Sequence, residues 1–250
     1  MDRRYMKLYS PAVGRDMEML VFGHYGEPII AFPSGGGRFF DFEDNGMIHA
    51  IAHLIEAGKI KVYCPDGIDR ESWLAHGVDP HWRGYRHNAY QDYIVKDLVP
   101  TIEADCQSPG IKIALTGCSF GAYHSANFAL KFPFLFHHAI CMSGRYDMEE
   151  ITGNSGSPEV YYNNPFAYVA NLHGERLEHI RQHTHLALIC GQGAFEDKCL
   201  QETNHLADLL AEKRISHERD IWGHDVEHHW YWWRKQLAHH LNLAFPSVDC

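Results

Sequence analysis

From Ile60 onward the chain alternates short β-rich apolar runs with longer stretches of helical spacing, and this alternation constrains the fold more than any other feature. A strand followed by a helix and then a second strand returns to the sheet by a crossover, which puts helices on both faces of a mostly parallel sheet. The runs IALTGC, AICMSG and LALICG are apolar at nearly every position, as strands buried on both faces are. Eight strands are expected, at Arg4–Ser10, Met17–Gly23, Pro28–Ser34, Ile60–Pro65, Ile111–Gly117, His138–Ser143, His185–Gly191 and Glu218–Trp222. Turn residues around Gly14 and Gly26 separate the first three, which predicts an antiparallel meander. Helices are expected at Asp44–Ala57, His87–Ala104, Phe120–Lys131, Leu177–Gln182, Asp197–Lys213 and His229–Leu243. Asp66–Arg86 and Arg145–Asn164 are expected as long loops. The fold class is α/β, and 250 residues suit one domain spanning 1–250.

Within this frame one segment carries chemistry. Gly117-Cys118-Ser119-Phe120-Gly121 is a G-x-S-x-G with an apolar strand before it and a helix of small and apolar residues after it. A serine on so sharp a strand-to-helix turn exposes its Oγ above the sheet, and the following N–H, that of Phe120, points at a developing oxyanion. The competing interpretation is a helix-capping serine beside packing glycines. A second oxyanion donor is expected from Ser34-Gly35-Gly36-Gly37, where either Gly35 or Gly36 can present its backbone to a ligand. Neither a P-loop nor a dinucleotide-binding spacing is present.

A serine nucleophile needs a base, and the base needs an orienting acid. The order serine, acid, histidine directs the search downstream. After Leu186–Gly191 come Glu196 and Asp197, either of which could orient the base, with Asp225 a more distant candidate. Acids there also suit a helix N-terminus. After the last strand, His224, His228 and His229 compete for the role of base.

Charge and composition exclude other functions. The formal charge of −10 would repel a nucleic acid backbone. No apolar run is long enough to cross a bilayer and no export signal is recognisable, so no membrane partner and a cytoplasmic location are expected. Seven cysteines without a C-x-x-C pair disfavour zinc ribbons and disulfide scaffolds. His224 and His228 have a spacing that could place two metal ligands together, but no H-E-x-x-H is present and a metal would compete with the base; no metal and no cofactor are expected. The aromatic run Trp230–Trp233 suits either packing or an acyl pocket. The 20 histidines are unusually many, and the chemistry needs one.

With these residues in place, the chain resembles the esterase branch of the α/β-hydrolases from about Pro28 to Leu241. Relatives in that branch include S-formylglutathione hydrolase, feruloyl and acetyl-xylan esterases, enterochelin esterase and the mycolyltransferases. FPSGGGRFFDFEDNGM, GCSFGAYHSANFALKFP, YYNNPFAYV and GHDVEHHWYWWRKQL carry the resemblance. It implies an α/β-hydrolase fold with Ser119 as nucleophile, Gly121 closing the turn, and Gly36 and Phe120 as oxyanion donors. It also implies Asp197, the second acid of its pair, with Glu196 the alternative. A mycolyltransferase-like pattern favours His228 as base, whereas an enterochelin-esterase-like G-H-D favours His224. The implied activity is cofactor-independent hydrolysis of small-molecule carboxylic esters through an acyl-enzyme. An acyltransferase with the same residues, or a binding protein that keeps the fold without turnover, are the alternatives.

Overall fold

The computed structural model describes residues 1–153 and 155–245; Asn154, inside the second expected loop, and Cys250 lie outside the described residues. Eight strands form one sheet in the order β1-β2-β4-β3-β5-β6-β7-β8. They are β1 Arg3–Ser10, β2 Arg15–Phe22, β3 Glu27–Phe32, β4 Ile60–Pro65, β5 Ile113–Cys118, β6 Phe136–Met142, β7 His185–Cys190 and β8 Ser216–Ile221. Every pairing from β4 through β3 to β8 is parallel.

The expected three-stranded meander is corrected to a hairpin. β1 and β2 pair antiparallel, but β4 lies between β2 and β3, antiparallel to the first and parallel to the second. The turn before β3 carries the chain across the start of β4: a Cβ on Gly26 (φ 110°) would stand 2.4 Å from the Lys59 carbonyl carbon, and the Glu27 N–H donates to Lys59 O at 2.9 Å. Only glycine fits so close an approach. Burial explains the central place of β3. Ile30 and Phe32 belong to the apolar cluster on one face, while Ile29 and Ala31 belong to the cluster on the other. A strand covered on both faces belongs inside the sheet.

Two expected loops are also corrected. A helix begins at Pro80, where the Asp79 side chain accepts the His81 N–H at 2.8 Å, and it takes in the end of Asp66–Arg86. It runs as Pro80–Asp92, a wider π turn at Tyr93–Leu98, then Val99–Asp105. The widening precedes Pro100, which has no N–H for the carbonyl one turn back. Arg145–Asn164 contains short helices at Met148–Thr152 and Pro158–Tyr161. The helix expected over Asp44–Ala57 is three short ones, Asp41–Asp44, Met47–Ala50 and Ala52–Glu56; Gly46 at φ 71° and Ile51 outside the helical region interrupt it. Phe120–Lys131, Gly174–His183, Asp197–Glu212 and Trp230–Ala244 match expectation to within a few residues.

Some of the histidine excess gathers at the amino ends of the central strands, opposite the edge where β5 leads into Ser119. His138 of β6 pairs in register with His185 of β7, their rings 5.3 Å apart. Burial, with His185 and His137 beside it, lowers the His138 pKa from 6.5 to about 4. Between those values the unfolded chain binds a proton that the native protein refuses, so stability is full above pH 6.5 and falls as the pH drops toward 4. Urea titrations across that range should show a loss of about 2–3 kcal/mol attributable to this site, and His138→Gln should flatten that part of the profile.

Candidate active site

The sharp turn after β5 meets the geometry expected of a nucleophile elbow. Ser119 sits at φ 56°, ψ −117°, a region L-residues rarely adopt and one that stores about 1–3 kcal/mol of strain. Its N–H donates to Met142 O at the end of β6 (2.9 Å), and its carbonyl accepts from Ala122 N and Tyr123 N (3.1 and 3.3 Å). Both flanking glycines are obligatory. A Cβ on Gly117 would lie 2.3 Å from the Gly121 carbonyl carbon, and one on Gly121 would lie 2.6 Å from Phe32 O at the end of β3. The strand before Ser119 is fully buried and the helix after it is buried from Phe120 to Leu130, while Ser119 itself is partly exposed. The Phe120 N–H stands in the first turn of that helix, where N–H groups have no intrahelical acceptor.

Among the described residues, three of the five non-glycine residues with positive φ lie past the carboxyl ends of three adjacent strands: Ser119 after β5, Ser143 after β6 and Phe195 after β7. The other two, Gln107 and Arg214, follow helices and adopt the left-handed conformation common at helix ends. Strain is therefore concentrated at one edge of the sheet.

The loop after β3 borders the elbow. A Cβ on Gly35 would touch the Phe120 ring at 3.4 Å. Asp41 braces the loop by accepting from the Ser34 N–H (2.9 Å) and hydroxyl (2.7 Å). Gly36 adopts φ 70°, and its carbonyl accepts from Arg70 Nε at 3.0 Å. A cleft of about 380 Å³ opens alongside, lined by Gly36, Gly37, Arg38, Asp66 and Arg70 among others.

Of the two candidate acids, the structure brings Glu196 rather than Asp197 to a histidine. Glu196 precedes the helix Asp197–Glu212, and its side chain is 1% exposed. Its Oε2 lies 3.2 Å from His228 Nδ1 and accepts from Cys190 Sγ at 3.4 Å, while Oε1 accepts from the Ser143 hydroxyl at 2.5 Å. Asp197 is the first residue of that helix and is exposed. The chain turns at Phe195 (φ 64°), and this sends the first acid inward and the second to solvent. Among the histidines, His224 is exposed, as is Asp225, and His229 caps the last helix by accepting the Tyr231 N–H. Residues 224 to 228 form a loop, so His224 and His228 do not share a helical face.

The loops bearing Glu196 and His228 are laced together. The Gly193 N–H donates to Val226 O (2.8 Å) and the His228 N–H to Ala194 O (3.0 Å). A Cβ on Gly191 would lie 2.1 Å from Val226 O, so the approach needs glycine. The His228 ring meets Trp233 edge to face at 4.7 Å, and Trp233 Nε1 donates to Ser143 Oγ at 3.0 Å. Trp233, Ser143, Glu196 and His228 thus close a ring of contacts, and Ser119 is tied to it through Met142, the residue before Ser143. Ser143 is not among the expected site residues, and Trp233 is expected only as packing or as part of an acyl pocket, not as a partner of Ser143. Strand order supplies the missing signal: β6 lies between β5 and β7, so the residue just past β6 must stand between the Ser119 turn and Glu196.

A mostly parallel eight-stranded sheet with helices around it and a strained serine turn at the carboxyl end of β5 has the α/β-hydrolase fold. Solved structures share the fold at low identity. A ferulic acid esterase matches with TM-score 0.75 and 16% identity, covering 97% of this chain and 96% of that one. A fluorophosphonate-binding serine hydrolase of Staphylococcus aureus matches at 0.73 and 16%, covering 97% of both chains. An S-formylglutathione hydrolase of Agrobacterium tumefaciens matches at 0.73 and 14%, covering 96% of this chain and 93% of that one. No curated protein matches the chain. The family model described as "Putative esterase" matches residues 10–243, so the chain belongs to that esterase family.

Proposed function

We propose that the protein hydrolyses small-molecule carboxylic esters with a Ser119-His228-Glu196 triad. The observation that carries it is the buried Glu196 carboxylate 3.2 Å from His228 Nδ1, at the sheet edge where Ser119 is held in strain. Glu196 accepts a hydrogen bond from the Nδ1–H of His228, which keeps the proton on Nδ1 and leaves the Nε2 lone pair free to take the Ser119 hydroxyl proton as Oγ attacks the ester carbonyl. The carboxylate then stabilises the imidazolium. N–H groups of Phe120 and Gly36 receive the developing oxyanion. The imidazolium returns its proton to the departing alcohol; water, deprotonated by the same nitrogen, then attacks the acyl-enzyme, and the proton passes to Ser119 Oγ as its bond to the acyl group breaks and the acid leaves.

Glu196 takes the role that the family resemblance gave to Asp197. The Ser143 hydroxyl fixes the carboxylate by occupying its other oxygen, and Trp233 fixes Ser143. A fluorophosphonate probe tests the nucleophile: the intact protein should take up one equivalent, with the phosphonyl group on the peptide carrying Ser119. Uptake elsewhere, or none, would overturn the proposal.

A further inference from the structure

Cys199 stands beside the acid–imidazole pair, and the proposed mechanism does not use it. It lies one helical turn after Glu196, is 4% exposed, and places Sγ 3.8 Å from His228 Nδ1. Nδ1 is in turn 3.2 Å from Glu196 Oε2, and one ligand atom from each of the three residues lies within 4.8 Å of the other two. Zinc binds imidazole nitrogen and carboxylate oxygen at about 2.0–2.2 Å and thiolate at about 2.3 Å, so tetrahedral geometry separates N from O by about 3.3 Å and N from S by about 3.6 Å. The observed 3.2 and 3.8 Å fall close to both edges. The Ser143 hydroxyl holds Oε1 and leaves Oε2 to face the other two ligands, as an orienting partner of a metal ligand does. His228 is 21% exposed, which opens the site to solvent on that side.

We propose that Glu196, Cys199 and His228 form an inhibitory site for a thiophilic divalent cation of the zinc type. The inference rests on His228 as the base. Without metal, His228 carries its proton on Nδ1 and a lone pair on Nε2. Metal takes a lone pair at Nδ1, so the proton moves to Nε2; Cys199 loses its proton to solvent, and Glu196 coordinates as the carboxylate it already is. One proton is released per cation. Thiolate and carboxylate together neutralise the double positive charge, whereas the metal-free site carries one uncompensated negative charge. With Nε2 protonated, no acceptor remains for the Ser119 proton, and turnover stops.

Cadmium titration, read by the ultraviolet thiolate-to-metal charge-transfer band, tests binding apart from activity. Zinc inhibition of p-nitrophenyl acetate hydrolysis, with reversal by EDTA, tests the consequence. The wild type and Cys250→Ser should each bind one equivalent of cadmium and lose activity to zinc. Cys199→Ala and the nearly isosteric Cys199→Ser should lose the band, and their half-inhibiting zinc concentration, each measured against the variant's own metal-free rate, should rise at least about 100-fold. No band in the wild type, or equal zinc sensitivity in both Cys199 variants, would overturn the inference. A Cys199-dependent band in a protein without esterase activity would keep the site and remove the proposed base; activity without such a band would do the reverse.

Discussion

Ser119→Ala should lower kcat for p-nitrophenyl acetate by about a million-fold while the protein remains folded. The size follows from what is removed. In the proposed mechanism the hydroxyl supplies the bond that forms, and neither His228 nor Glu196 acts on a substrate without it, so the loss should approach that of removing the whole proposed triad. The fold should tolerate the change, because the backbone bonds at residue 119 involve its N–H and carbonyl rather than Oγ. Alanine keeps the Cβ and therefore the strain at φ 56°. Ser119→Gly should be equally inactive yet more stable by about 1 kcal/mol, because glycine adopts positive φ without a steric cost. Denaturant midpoints of the two variants, beside their rates, separate the catalytic role of the side chain from the conformational cost of holding it. Residual activity in Ser119→Ala within a hundredfold of wild type would exclude serine attack.

The elements legible in the sequence are those whose signal is local. Apolar runs marked the central strands because strands buried on both faces have no polar positions to obscure them, and the Ser119 turn was legible because its glycines occur at fixed offsets. Strand order was less accessible. Whether β3 follows β2 in the sheet or lies beyond β4 depends on the contact between Gly26 and Lys59, a tertiary fact no local pattern encodes. The choice between the two candidate acids is hidden for the same reason. Glu196 and Asp197 are adjacent acids before a helix, and helix-end preference treats them alike. What separates them is the left-handed turn at Phe195, an aromatic residue at a positive φ that no residue preference would have indicated. Ser143 and Trp233 are 90 residues apart, and only the assembled sheet makes them partners.

Replacing the two adjacent acids separately should therefore give opposite outcomes. Glu196→Gln is expected to reduce kcat by about a thousand- to ten-thousand-fold, whereas Asp197→Asn should leave it at the wild-type level. The carboxylate accepts on both oxygens, from Ser143 on one and from Cys190 and His228 on the other. An amide offers one acceptor and one donor, so one of those faces must meet an N–H. If the donor turns to His228, Nδ1 becomes an acceptor, the ring proton moves to Nε2, and the base has no lone pair for Ser119. If it turns to Ser143, that hydroxyl loses its acceptor while still receiving the Trp233 N–H, and the buried ring of contacts loosens. In either orientation the buried negative charge that stabilises the imidazolium is gone. Asp197 faces solvent, and its replacement removes only a favourable charge at a helix N-terminus, a stability effect of about 0.3–1 kcal/mol. Rates and unfolding midpoints of both variants decide the assignment: loss of activity on Asp197→Asn with retention on Glu196→Gln would return the acid to Asp197 and require the loop at Phe195 to rearrange in solution.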